Sequence, residues 1–191
     1  MKPLQPWKTI ASEECFNAAP WVKVINDTIE LPSGRKVAGF YRVSLPEYVM
    51  ICARDTSGKY ILIRQYKHAL KAVSFGLPAG GRSLDEEPLM AAKRELLEET
   101  GYSSSRWISL GTFMTDGHRG CSKANFFIAQ DAEKTAQPRY DDTEEIETVI
   151  VPEEEIPAMV LRGDIPIVAA VALLNIAIHP AYQKKFFTED K

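Results

Sequence analysis

The chain has 191 residues, of which 45% are hydrophobic and 26% charged, a size and composition typical of one globular domain with an extension. Its formal net charge of −3 and the absence of any long basic run argue against nucleic acid or an acidic membrane as a partner. We therefore expect its ligand to be a small molecule.

The cysteines and histidines are few and scattered. Cys15, Cys52 and Cys121 form no C-x-x-C pair, and the three histidines lack zinc-ligand spacing, so neither a disulfide framework nor a zinc site is predicted. The first twenty residues contain no apolar signal segment, and the apolar run 165–178 is interrupted and too short to span a bilayer. We expect a soluble cytoplasmic protein with no membrane contact.

Hydrophobic patterning and turn residues predict the elements in chain order. Strands are predicted at residues 21–25, 37–43, 48–53, 60–66, 107–114, 125–129 and 146–151. Helices are predicted at residues 87–100, 152–162 and 166–178. Loops are predicted at residues 115–124 and 130–142, the second of them mobile. This irregular mixture favours an α+β fold in which helices cover both faces of a mixed β-sheet. Residues 1–44 are predicted to form a small antiparallel β extension, and residues 45–191 the main domain.

The helix at 87–100 carries its own start and stop signals. Asp85 is the predicted N-cap, Pro88 falls in the first turn, and Gly101 follows the last turn as a C-cap. A glycine-rich segment, LPAGG, precedes this helix from residue 77. The loop and the helix together form the central stretch of the sequence, residues 77–102.

Three carboxylates of this helix fall on one side. Glu95, Glu98 and Glu99 stand at positions i, i+3 and i+4, so a helix brings them to one patch. One interpretation is a solvated charged face in which Arg94 pairs with Glu98. The other is a site for a divalent cation, because Mg²⁺ and Mn²⁺ prefer hard oxygen ligands.

A longer pattern decides between these two interpretations. It has the form G-x5-E-x7-R-E-U-x-E-E-x-G-U, and only Tyr102 departs from it, at the last position. The matching residues are Gly80, Glu86, Arg94, Glu95, Leu96, Glu98, Glu99 and Gly101. In these residues the chain resembles the Nudix hydrolase family, whose box this is.

The resemblance implies a fold and a metal site. The fold is the Nudix-type α/β/α sandwich with a mixed β-sheet. Divalent metal, Mg²⁺ or alternatively Mn²⁺, would be bound by Glu95, Glu98, Glu99 and a backbone carbonyl of Ala79 or Gly80. Arg94 would orient the glutamates and belongs with Glu98 to the expected catalytic set. For Glu86 two roles stay open, a metal ligand or a carboxylate at the positive end of the helix.

Features outside the box resemble the ADP-ribose pyrophosphatase branch of the family. They include RQYKHAL from residue 64, SFGLPAG from residue 74 and TEEIE from residue 143. The branch implies hydrolysis of ADP-ribose or a related nucleoside diphosphate sugar to a nucleoside monophosphate and a sugar phosphate. It also implies a homodimer in which the N-terminal strands are exchanged. Gly117 stands where the branch usually has a proline near the sugar, so the identity of the sugar is left open.

Three other functions use the same box. The first is hydrolysis of nucleoside triphosphates or dinucleotides, which needs little beyond the core fold. The second is a non-catalytic sensor of nucleotide sugars, which commonly lacks box carboxylates and carries a DNA-binding module. The third is RNA decapping, which requires a basic path that this acidic chain lacks. We expect the diphosphate-sugar hydrolase.

Further site residues are predicted, and for the acidic and aromatic ones an ordinary structural role is the alternative. Glu144 is the first choice for the general base and Asp142 the second, on an acidic loop that resembles the branch's catalytic loop; such loops are also commonly just solvated. Arg64 and Arg119 are predicted to pair with substrate phosphates. Tyr66, Trp21 or Phe75 is predicted to stack on adenine, against the alternative of ordinary core packing.

Overall fold

The computed structural model describes residues 3–83, 85–140 and 145–186, which form two compact units. The strands are β1 (Lys8–Ala18), β2 (Val22–Glu30), β3 (Lys36–Ser44), β4 (Tyr48–Asp55), β5 (Tyr60–Lys67), β6 (Ala72–Gly76), β7 (Ala79–Gly81), β8 (Tyr102–Ser103), β9 (Arg106–Asp116), β10 (Gly120–Lys134) and β11 (Ile146–Val151). The helices are α1 (Pro88–Thr100), α2 (Ile156–Arg162), α3 (Val168–Ile178) and α4 (Pro180–Phe186), with a 3-10 turn at Glu153–Glu155.

The first unit comprises residues 1–47 and 114–123. Its strands β1, β2 and β3 form an antiparallel meander, and the start of β10 pairs in parallel with the end of β3. Asp27, only 2% exposed, accepts hydrogen bonds from Ser12 and Arg42, so one buried carboxylate joins all three strands. The predicted antiparallel β extension is therefore present.

Strand β1 was not predicted from the sequence. Its side chains are almost all exposed, and its pairing with β2 shifts register between Thr9 and Ala11 and again between Glu14 and Phe16. Each shift disrupts the period-two alternation by which a strand is recognised.

The second unit comprises residues 48–113 and 124–191 and contains the mixed sheet. Strand β4 pairs in parallel with β10 and antiparallel with β5 and β7. Strand β5 pairs antiparallel with β11 and β6. The predicted mixed sheet is confirmed, although the sequence pattern missed the short strands β6 and β7, since each is too short to show a period.

Strand β4 lies between two hydrophobic cores, and its successive side chains belong alternately to one core and to the other. Val49 and Ile51 pack with Ala92 and Leu96 of α1 on one face. Met50 and the other alternate residues pack with α2 and α3 on the opposite face. Because both faces are apolar and both are covered, the unit is an α/β/α sandwich, as predicted.

Two predicted boundaries were wrong, and one helix was missed. The segment from Gln130 to Lys134 is not a mobile loop but the end of β10, where Gln130 is 5% exposed and the last residues pair with β8. The helix at 152–162 begins as the 3-10 turn, and α4 follows α3 beyond His179. No helix in the described part of the chain is long and apolar enough to cross a membrane.

Candidate active site

Helix α1 is fixed at both ends by local contacts. The side chain of Glu87 caps the N-terminus by accepting the N–H of Leu89 at 2.7 Å, so the prediction of Asp85 as N-cap was wrong. Gly101 ends the helix in the left-handed conformation with φ of 74°, as predicted. A Cβ at Gly101 would also overlap the carbonyl of Ala136, so glycine is required there twice over.

We call Glu86, Glu95, Glu98 and Glu99 the carboxylate cluster. Arg94 contacts the first three of them. Its Nε and Nη2 donate to the two carboxylate oxygens of Glu86 at 2.9 and 3.0 Å, and Nη2 also donates to the carbonyl of Gly81 at 3.1 Å. Its Nη1 donates to Glu95 at 2.6 Å and to Glu98 at 3.0 Å. All five N–H groups of the guanidinium are thereby used, which defines the position of this side chain tightly.

Glu99 and Gly80 connect the cluster to β7. Glu99 is 4% exposed and accepts the N–H of Ala79 at 2.9 Å. A Cβ at Gly80 would overlap the carboxyl group of Glu95, so the absence of a side chain at Gly80 makes room for that carboxylate. The structure therefore brings the glycine-rich strand and the carboxylate helix into direct contact.

The chemistry of these residues fits a hard divalent cation. Glu95, Glu98 and Glu99 supply carboxylate oxygens from one helix, and the backbone of β7 passes beside them. In the described residues no three His, Cys, Asp or Glu side chains already converge at metal-binding spacing. Arg94 instead contacts two of the carboxylates directly. The three carboxylates are thus of the right chemical type for the metal, and two of them, Glu95 and Glu98, are hydrogen-bonded to Arg94 in this structure.

Acid is expected to weaken this cluster. Hydrogen bonding from Arg94, followed by its charge, holds the pKa of Glu86 below its ordinary value against the opposing effect of desolvation. Because the folded-state pKa of Glu86 is depressed, the Glu86–Arg94 pair stabilises the fold fully above the ordinary glutamate pKa and progressively less as the pH falls through the lower folded-state pKa. We expect the Tm difference between the unaltered protein and Glu86→Gln to be largest near neutral pH and to shrink in acid. Thermal denaturation over a range of pH measures this, and a Tm difference between the two proteins that did not change with pH would contradict the prediction.

A pocket of ≈ 290 Å³ lies beside β7. Its lining residues come from strands β4 to β7 and from the start of α3, and most are apolar: Tyr48, Met50, Gln65, Lys67, Ser74, Phe75, Gly76, Leu77, Ala79, Gly80, Gly81, Ile167 and Ala170. Lys67 is the cationic residue among them. The pocket shares Ala79 and Gly80 with the carboxylate cluster, so the two features adjoin.

Lys67 and Gln65 were missed by the sequence interpretation. Both residues stand at the end of β5, where the strand changes from buried to exposed side chains, and both line the pocket. No local pattern in YILIRQYK marks Lys67, because the pocket is formed by strands β4 to β7 and the start of α3, which only the fold brings together.

The predicted contacts Arg64 and Tyr66 have other neighbours. Arg64 donates to Glu147 of β11 at 2.9 Å in an exposed ion pair. Tyr66 is 52% exposed, and its ring approaches that of His68. Phe75 packs at the margin of the core beneath α3.

Two further predicted contacts lie in the first unit. Trp21, at the turn between β1 and β2, is 74% exposed. Arg119 donates to the carbonyl of Tyr41 at 3.2 Å, and its N–H is accepted by Asp116. Asp142 and Glu144, the predicted general bases, lie outside the described residues.

Comparison with known proteins identifies the chain. A family model described as the NUDIX domain matches residues 45–171, a range that includes the whole carboxylate helix. The chain belongs to the Nudix family. The resemblance found in the sequence is confirmed, and the motif from Gly80 to Gly101 is its Nudix box.

Individual relatives agree with this assignment. The ADP-ribose pyrophosphatase of Bacillus subtilis (strain 168) is 32% identical over 153 residues, covering 78% of this chain and 80% of the relative. The ADP-ribose pyrophosphatase of Mycobacterium tuberculosis (strain ATCC 25618 / H37Rv) is 28% identical over 91% of this chain and 83% of its own. The methanol dehydrogenase activator of Bacillus methanolicus is 34% identical over 56% of this chain and 57% of its own.

The crystal structure of an ADP compounds hydrolase has the same fold, with a TM-score of 0.79 and 24% identity over 91% of this chain and 93% of the other. The predicted Nudix α+β sandwich is therefore confirmed. The family match and the relatives identify the chain as a Nudix pyrophosphohydrolase, as expected from the sequence.

Proposed function

We propose that this Nudix enzyme hydrolyses the diphosphate linkage of ADP-ribose or a related nucleoside diphosphate sugar, with Mg²⁺ as its metal. One observation carries the proposal: the arginine-centred carboxylate cluster packs on Gly80, which also lines a largely apolar pocket whose described lining includes Lys67. A metal site with an adjoining, largely apolar pocket suits a diphosphate joined to uncharged groups. The names of two relatives, both ADP-ribose pyrophosphatases, support the substrate class.

The metal would be held by Glu95, Glu98 and Glu99 with a backbone carbonyl of Ala79, and Mn²⁺ is the alternative ion. When bound, such an ion lowers the pKa of a water and neutralises charge on the phosphates. One edge of Arg94 donates to both carboxylate oxygens of Glu86, which favours a positioning role over a ligand role.

The remaining chemistry requires a base and substrate contacts. A water attacks one phosphorus and gives up a proton, the bridging P–O bond breaks, and two phosphate monoesters leave. Glu144 is proposed as the base that takes the proton, with Asp142 as the second choice. Arg64, Tyr66, Arg119 and Trp21 stay predictions as substrate contacts. We add Lys67 to them as a phosphate partner, because among the described lining residues of the pocket it is the one with a positive charge.

Replacement of Lys67 by methionine is expected to lower kcat/KM by about tenfold to a hundredfold, mainly through KM. The reason is the loss of one charge-assisted hydrogen bond, which contributes about 1.5–3 kcal/mol. The matched control is Lys71→Met, because Lys71 is exposed and does not line the pocket. Equal kinetics for the two variants would remove Lys67 from the site.

The substrate class is tested by a release assay in the presence of Mg²⁺. The panel comprises ADP-ribose, ADP-glucose, GDP-mannose, UDP-glucose, NADH, diadenosine polyphosphates and nucleoside triphosphates. Selective conversion of a diphosphate sugar to a nucleoside monophosphate is the expected result. Preference for a triphosphate or a dinucleotide would support the alternative hydrolase, and tight binding of one compound without turnover would support the sensor.

The proposed assembly is a homodimer in the cytoplasm, with residues 1–44 as a separate extension involved in dimerisation. The exposed strand β1 and its neighbour Trp21 provide apolar surface for such a contact. Size-exclusion chromatography of a chain that lacks about the first forty residues is expected to show loss of the dimer. An elution state unchanged from that of the full chain would overturn the dimerisation role.

A further inference from the structure

The two edges of the Arg94 guanidinium have different partners. The edge formed by Nε and Nη2 contacts Glu86 through both carboxylate oxygens and the carbonyl of Gly81. Both of these acceptors lie before α1 in the chain. The remaining nitrogen, Nη1, contacts Glu95 and Glu98. One edge therefore anchors the side chain, and the other faces the carboxylates proposed as metal ligands.

The Nη1 group performs a task that a metal ion would also perform. Carboxylates on neighbouring turns of a helix repel each other unless a cation lies between them. Glu95 is largely buried, with a side chain 12% exposed, so water screens this repulsion poorly at its position. Nη1 lies within hydrogen-bond distance of both Glu95 and Glu98 and supplies that positive charge.

We propose that Arg94 is the resident counter-ion of the metal-free site, and that a divalent cation binds by taking Glu95 and Glu98 from Nη1. The Nε edge stays on Glu86 throughout, so the arginine remains beside the site while Glu95 and Glu98 change partner. Arg94 thus lowers the affinity for metal while it keeps the empty site folded. This inference rests on the metal site of the proposed function.

The proposal predicts an effect opposite in sign to that of a purely orienting arginine. Arg94→Met removes the competing cation, so Mn²⁺ is expected to bind about tenfold more tightly, as measured by calorimetry without substrate. Arg94→Lys keeps the charge and is expected to bind Mn²⁺ no more tightly than the unaltered protein. Arg106→Met is the matched control, because Arg106 pairs with Asp131 on other elements.

Thermal denaturation gives a second readout. Without metal, Arg94→Met is expected to melt at a lower temperature than the unaltered protein, and Mn²⁺ should raise its Tm by more than it raises that of the unaltered protein. Equal or weaker Mn²⁺ binding by Arg94→Met would show that Arg94 only orients the glutamates, and would overturn the proposal.

The unaltered protein offers a test that does not depend on the folding of any variant. With the arginine guanidinium groups labelled with ¹⁵N, addition of Mg²⁺ should shift the Nη1 signal of Arg94 and expose its protons to exchange, while the Nε–H stays protected. If saturating Mg²⁺ left the Nη1 protons as protected as before, the proposal that Glu95 and Glu98 pass from Arg94 to the metal would be wrong. Hydrolysis by the same sample would still support the proposed function, whereas absence of Mn²⁺ and Mg²⁺ binding altogether would overturn both.

Discussion

Gly80→Ala is expected to lose about a hundredfold in kcat while the protein remains folded. The added Cβ would overlap the carboxyl group of Glu95, and both partners are held, Gly80 by strand pairing with Val49 and Glu95 by Arg94. The carboxylate must therefore move, and a displacement of about 1 Å in a catalytic group commonly costs about 10²-fold. Steady-state kinetics, together with circular dichroism to verify folding, measure this effect.

The neighbouring residue provides the control. A Cβ at Gly81 would meet no atom within 4 Å, so Gly81→Ala is expected to keep a kcat close to that of the unaltered protein. If both variants lost activity equally, stiffening of the glycine-rich strand would explain the result better than displacement of Glu95. If neither did, Glu95 would not need its observed position.

Glu99→Gln is expected to lower kcat by about 10²–10³-fold, the range seen when one preorganised electrostatic group is removed from a site. The amide oxygen can still accept the N–H of Ala79, so the local structure is retained while the charge is lost. Glu99 is almost completely buried beside β7. Burying a charged carboxylate is costly, and a bound cation would offset that cost. The assay is hydrolysis of the preferred substrate over a range of Mg²⁺ concentrations.

Glu133→Gln makes the same chemical change at an exposed position of β10 and is expected to have no effect on kcat. If Glu99→Gln retained nearly full turnover at every Mg²⁺ concentration, Glu99 would serve only to hold β7 against α1. A defect that high Mg²⁺ repairs would instead support its role as a metal ligand.

The sequence was most informative where one local pattern contains the whole cause. The α1 boundaries follow from Pro88 and Gly101. Helical spacing likewise places Glu95 and Glu98 on one side of α1, where Arg94 contacts both, so these features could be predicted. Lys67 could not be found in the same way, because the pocket that it lines is formed by several strands and the start of α3, which only the folded chain brings together. The N-cap was mistaken because Asp85 and Glu87 are both acceptable caps, and only the actual path of the chain selects Glu87.

The contacts at the end of α1 bear on how the protein opens locally. The carbonyl of Gly101 accepts the N–H groups of Thr135 and Ala136, and the carbonyl of Glu98 accepts that of Arg139. The last turn of the carboxylate helix and the chain leaving β10 therefore cannot open independently. In native-state hydrogen exchange they should behave as one cooperative unit, so a mutation that loosens either segment should speed amide exchange in both.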